Sequence, residues 1–136
     1  MSAIPYEKST PPRPVLGIAV SDPLRRATAE LMTRVDTGFD GGLLIPLERY
    51  LELGLQEFED PSNSFVARSA QGVTVRLRSS RGIVTAQGRD FECSVYATPI
   101  LLRPLLGVEL LNHWRVVLHG PSEELSIAGP HLGEAT

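Results

Sequence analysis

The stretch "RVDTGFDGGLLIP", residues 34–46, governs how the rest of the chain is read. Arg34 and Val35 close a segment in which Ala27, Ala29, Leu31, Thr33 and Val35 alternate with Thr28, Glu30, Met32 and Arg34. That period of two belongs to a strand with one buried face. Leu43, Leu44 and Ile45 read as a second, wholly apolar strand. Between them lie Asp36, Thr37, Gly38, Phe39, Asp40, Gly41 and Gly42, three glycines and two acids in seven residues. A connecting turn accounts for the glycines and for one of the acids. It does not account for Asp36, set flush against an apolar strand end and followed at once by Thr37 and Gly38.

Outward from this loop the chain is strand-rich. "PVLGIAV" (14–20) is an apolar run stopped by the turn signal "SDP". After Ile45 the period changes: Leu47, Tyr50 and Leu51 fall at i, i+3 and i+4, with Pro46 opening and Gly54 closing a short helix. Phe65 to Arg68 and Val73 to Arg78 are strand-like and joined by "SAQG". Ile83 to Ala86 and Phe91 to Val95 follow as a hairpin around "QGRD". "LLGVELLNHW" (105–114) reads as a tight glycine turn entering a helix of about two turns. "RVVLH" and "ELSI" form a last hairpin around "GPSE". Many short strands with two brief helices point to a mainly β fold, a small closed barrel or a sandwich.

Composition bounds the rest. At 136 residues the chain is the size of one domain with a real core. Hydrophobic content of 42% and charge of 21% are those of a globular protein. A net charge of −3 gives no electrostatic case for nucleic acid or an anionic membrane as partner. Cys93 is the single cysteine, so there is no intrachain disulfide and no cysteine-based zinc cluster. The Pro-rich N-terminus has no apolar signal-peptide core, and no apolar run reaches membrane-spanning length. A reducing cytoplasm is the expected location. Residues 1–13 and 129–136 read as loose tails around one domain over 14–128.

The common catalytic arrangements are missing from the sequence. His113, His119 and His131 share no metal-ligand spacing. No GxSxG elbow and no Gly-rich loop ending in Lys-Ser/Thr occurs. Cys93 alternates with Phe91 and Val95 as an ordinary buried strand residue, and Trp114 with Leu110 and Leu111 is most simply core. That leaves Asp36, whose loop is answered about 70 residues later by "PLLGVELL": two apolar residues, a glycine and a helix, which a second loop needs to pack against the first.

"VDTGFDGGLLIP" together with "PLLGVELLNHWRVVL" resembles the retropepsin-like aspartic proteases, over roughly residues 14–128. The resemblance is to the single-lobe group, and within it to the bacterial members and the protease domain of the ubiquitin-receptor type. It implies a small closed β-barrel with one or two short helices, and an aspartic endopeptidase. Such an enzyme needs two carboxylates about 3 Å apart sharing one proton, so that one serves as base and the other as acid. This chain offers a single Asp-Thr-Gly, so the resemblance implies a homodimer with Asp36 opposite its own copy. No metal or organic cofactor is needed, and the other partner is a peptide or protein substrate.

The resemblance also assigns neighbouring roles. Thr37 would hold the two loops together across the dimer, and Gly38 would let a substrate backbone approach. Asp40 either binds substrate main chain or is a solvent-facing turn acid. Ser69, Ala70, Gln71 and Gly72 fall where a flap would close over substrate, or form a plain surface hairpin. Leu106 and Gly107 would support the catalytic loop. The pattern departs from retroviral enzymes at Val108, where those carry an arginine that pairs with an acid; Glu109 follows it here. Phe39 stands where viral enzymes carry a small residue, and either narrows the pocket or packs beneath the loop. A different class of function remains open beside the endopeptidase: a catalytically inactive barrel serving as a dimeric peptide-binding or assembly module.

Overall fold

The alternating and apolar runs become strands in a computed structural model of the chain, which describes residues 2–59, 65–68, 72, 74–100 and 103–129. In chain order these are β1 (Ser2–Pro5), β2 (Val15–Ser21), β3 (Thr28–Val35), β4 (Leu43–Pro46), α1 (Leu47–Glu52), β5 (Phe65–Arg68), β6 (Thr74–Ala86), β7 (Arg89–Thr98), β8 (Leu105–Leu106), α2 (Val108–Leu111), β9 (Arg115–His119) and β10 (Glu124–Ala128). Single 3-10 turns cover Leu55–Phe58 and Gly120–Ser122.

Six strands close on themselves. β2 pairs with β3, β3 with β8, β8 with β4, β4 with β7, β7 with β6, and β6 returns to β2. The choice between barrel and sandwich therefore falls to a barrel-like ring. Its interior is packed by Leu16, Ile18, Val20, Leu43, Ile45, Val84, Val95 and Leu106, all at most 5% exposed. The residues of β3 that the alternation assigned inward follow suit: Thr33 is fully buried, Ala29, Leu31 and Val35 are partly so, and Glu30 and Met32 face out. Buried Thr33 meets the cost of taking a hydroxyl inside by donating to the Leu16 carbonyl at 2.8 Å. A second sheet, in the order β1–β10–β9, packs Leu125 and Ile127 against the same core.

β3 and β4 are consecutive in the chain but do not pair. The two-residue strand β8 lies between them, parallel to β3 and antiparallel to β4. This insertion brings the residues near 36 and near 106 side by side, and it positions the site.

Three expectations need correction. The N-terminal segment is not a loose tail: β1 pairs antiparallel with β10, Ile4 and Tyr6 pack on the core, and Glu7 bridges to Arg13. The Pro-rich composition of residues 11–14 hid a two-residue apolar alternation whose partner strand lies at the other end of the sequence. The strands expected at Val73–Arg78 and Ile83–Ala86 are one 13-residue strand, β6, because "SSRG" continues the ladder opposite Cys93 to Tyr96. The turn after it is only Gln87 and Gly88, at φ +53° and +75°, the left-handed pair that a two-residue hairpin turn requires. Helix α2 spans four residues, about one turn instead of two. Helix α1 lies as expected, ending at Gly54 with φ +72°. The C-terminal tail expected from residue 129 onward lies, after Gly129, outside the described residues.

Candidate active site

β3 delivers Asp36 to the mouth of the ring. Its amide donates to the Leu106 carbonyl at 2.9 Å, one step beyond the β3–β8 ladder. Its Oδ1 accepts from the Gly38 amide at 2.8 Å, and its carbonyl accepts from the Phe39 amide at 3.2 Å. The carboxylate is thus oriented by a backbone donor of its own loop while remaining half-exposed. Thr37, Gly38 and Asp40 stand exposed around it.

The second loop locks the first. Gly107, Val108 and Glu109 carry the first amides of α2, which no helical carbonyl can satisfy. They donate to the carbonyls of Gly42 (2.9 Å), Phe39 (2.8 Å) and Gly41 (3.3 Å). Three consecutive donors thereby pin three carbonyls of the Asp36 loop. The contact is so close that a Cβ on Gly107 would collide with the Gly41 carbonyl and lie 2.6 Å from that of Phe39. Glycine is required there by space, since its φ of −103° is open to any residue.

Phe39 packs beneath the loop. It is 9% exposed, meets Tyr96 edge-on at 5.7 Å, and joins Leu44, Leu77 and Leu105 in a small cluster of its own. Gly41 is crowded by side chains instead of backbone, since a Cβ there would meet the Tyr96 ring and come within 2.7 Å of the Phe39 ring.

Glu109 has taken up a task that the sequence did not reveal. Its Oε1 accepts from the Ser94 amide of β7 at 3.2 Å, and its Oε2 lies 3.6 Å from Arg81 Nη1. The acid one position after Val108 therefore ties α2 to the ring through its own partners. Glu7 does similar work from the other side. Its Oε1 pairs with Arg34 Nη2 at 2.6 Å and its Oε2 with Arg103 Nη2 at 3.1 Å, linking the stretches that lead into both loops. The hydrogen bond from Arg34 holds the Glu7 carboxyl below the usual carboxylate range. Sequence gave only a faint signal for either residue: an acid next to a loop motif, and an acid in a segment read as a tail.

The remaining chemistry-bearing side chains are occupied structurally. Burial pushes the Cys93 thiol up to about 12, and Glu109 adds to the shift, so the thiol is inert near neutrality. His113 stacks on Phe91 at 4.7 Å, and His119 Nε2 shares a hydrogen bond with Ser126 Oγ at 3.0 Å. The β5–β6 hairpin reverses between Arg68 and Thr74, with Gly72 exposed at φ +82°. Ser69, Ala70 and Gln71 lie outside the described residues.

The ring that carries this Asp and its bracing glycine loop has a fold that solved structures share. The structure is similar to a retropepsin-like aspartic protease from Rickettsia conorii, with a TM-score of 0.59 over 94% of this chain and 94% of that one at 16% identity. It is also similar to EIAV protease complexed with the inhibitor HBY-793, with a TM-score of 0.53 over 74% of this chain and 86% of that one at 18% identity. This is the retropepsin fold. No protein-family model and no curated protein sequence matches the chain, so the likeness is carried by architecture. Within the retropepsin fold, Asp36, Thr37, Gly38, Asp40, Leu106 and Gly107 gather at one mouth of the ring, and Gly72 belongs to the hairpin of β5 and β6.

Proposed function

We propose that the protein is an aspartic endopeptidase whose active site is completed by a second copy of the chain. The observation that supports this most directly is the bracing of Asp36: a half-exposed carboxylate with one oxygen on the Gly38 amide, in a loop pinned by three amides of residues 107–109. A turn residue of no further use does not need a second loop to hold it rigid. In the dimer, two Asp36 carboxyls share one proton, since two like charges so close cannot both ionise. The ionised member takes a proton from a water held between them, and the water oxygen bonds to the peptide carbonyl carbon. The protonated member donates to the carbonyl oxygen and, on collapse, a proton reaches the leaving nitrogen as the C–N bond breaks. Thr37, exposed beside Asp36, faces the partner's loop. Gly38 leaves room for substrate main chain, Asp40 receives it, and the β5–β6 hairpin, to which Gly72 belongs, closes over it.

The test is peptide cleavage by highly purified wild type and Asp36→Asn. The amide keeps the Gly38 contact but can neither take up nor deliver a proton. Loss of cleavage by about 10³-fold or more, with unchanged circular dichroism, is the expected result. Cleavage that survives in the variant ends this reading, and peptide binding without cleavage by wild type favours an inactive peptide-binding module.

A further inference from the structure

The period of two that builds β3 also fixes what shares a side with Asp36. Residues i and i+2 of a strand line one face. Thr33 and Val35 turn inward, so Arg34 belongs with Glu30 and Met32 on the outer row. Asp36, whose amide extends the β3–β8 ladder, is the next member of that row. Its Cα lies about 7 Å beyond that of Arg34, two strand steps of about 3.4 Å each. Leu105 pairs with Arg34 across the ladder and joins Phe39, Leu44 and Leu77 in the small cluster outside the main core. The ground beside Asp36 is therefore apolar on one side and carries a guanidinium on the other.

That guanidinium is not alone. Glu7 Oε1 accepts from Arg34 Nε at 3.0 Å as well as from Nη2, and its Oε2 holds Arg103, just ahead of β8. Arg13 adds its charge to the same carboxylate. Three cations thus act on one anion, in a chain whose net charge is −3. Among the described residues, Arg34 and Arg103 pair with no other carboxylate. Glu7 meets Arg103 through Nη2 alone, and that side chain is 51% exposed, so N–H donors of its guanidinium face solvent. An uncompensated guanidinium at the rim of an apolar floor suits a carboxylate, which it can hold through two parallel N–H bonds.

We propose that Arg34 and Arg103 read an acidic side chain of the substrate, close to the bond that is cut. The proposal deepens the endopeptidase reading and rests on it. An extended peptide laid across Asp36 advances by the same step per residue as β3, so an Asp or Glu about two residues from the scissile bond comes level with Arg34. Arg103, the more exposed of the two, makes the outer contact. Glu7 fixes both guanidiniums in place beforehand, which lowers the side-chain entropy lost on binding. A Lys at the same substrate position meets the excess positive charge and is rejected.

The test takes a peptide that wild type cleaves and places Glu, Gln or Lys in turn at each position near the cut bond. At one position Glu should raise kcat/KM over Gln at least about tenfold, as a charge-assisted bidentate contact does, and Lys should lower it. Arg103→Gln should bring the Glu-to-Gln ratio to about one, Arg103→Lys should keep part of it, and Arg103→Glu should turn the preference towards Lys. The peptide series in wild type needs no substitution in the protein, so it stands whatever a variant does to folding. Equal handling of Glu, Gln and Lys at every position overturns the site and leaves the endopeptidase reading intact, since cleavage itself persists. A Glu preference that is undiminished in Arg103→Gln also overturns the assignment. A wild type that cleaves no peptide ends the endopeptidase reading, and the anisotropy of fluorophore-labelled Glu and Gln versions of one apolar peptide then decides the site. Binding of the Glu version at least about tenfold tighter keeps it, and equal or absent binding overturns it.

Discussion

At Gly107 two backbones approach to where a methyl group has no space, and neither the Gly41 nor the Phe39 carbonyl can move without releasing the Asp36 loop. Gly107→Ala is therefore expected to cost about 3 kcal/mol or more in urea unfolding, at the upper end for overpacking, and to remove activity even where folded protein remains. A different sensitivity belongs to Asp22. Burial of its carboxylate favours the neutral form, but the Ala27 amide, the Arg26 side chain and the Arg26 amide donate to it and together hold its pKa below 3.8. A depressed carboxylate stabilises the fold above its unfolded pKa, and that contribution is lost as pH falls through the folded one. The stability gap between wild type and Asp22→Asn should thus stay level from neutral pH to about 4 and shrink below it. A gap that persists undiminished to about pH 2 would show that the charge of Asp22 plays no part. These two residues also mark what could be read in advance. Gly107 was legible because a glycine between apolar residues and a helix signals a close approach. Asp22 sat in "SDP", which reads as a turn whether its carboxylate faces water or is fully buried.

Among the elements, the clearest strand was β3, whose alternation runs over residues 27–35, because burial of one face repeats often enough to be counted. β1 and the residue after it offer only Ile4 and Tyr6, too few for a period, and the partner strand β10 lies more than a hundred residues away. Helix α2 was overestimated for a related reason. Its apolar positions continue into Trp114, but that side chain serves the core from the bend just before β9, after the helix has ended at Leu111. If β1 is integral, Ile4→Ala should lower stability by about 2 kcal/mol, the low end for truncating a core isoleucine because Ile4 is only half-buried. Removing residues 1–7 should cost more and also release Arg34 and Arg103 from Glu7. Thermal denaturation of both variants checks this, and an unchanged melting temperature after removal of the segment would return it to the status of a tail.

For the molecule as a whole, the proposed two-copy site would make activity a function of concentration. Specific activity should fall on dilution below the dimer Kd, and excess Asp36→Asn, once subunits have exchanged, should poison wild type through dead heterodimers. With Val108 where retroviral enzymes carry an ion-pairing arginine, moderate salt should weaken the proposed dimer little, since screening acts on exposed charges. Constant activity per wild-type chain under both dilution and mixing, with exchange confirmed, would mean that each chain works alone. The threading of β8 between β3 and β4 also sets a timetable for a newly made chain. Asp36 is held by Leu106, about 70 positions later, and a ribosome adding roughly 5–20 residues per second needs about 4–14 s to cover that distance. Through that interval the nascent polypeptide carries Asp36 without the scaffold that braces it. On the proposed two-copy reading, the finished chain would still have to meet a sibling before it could cut, so synthesis itself would delay the appearance of activity.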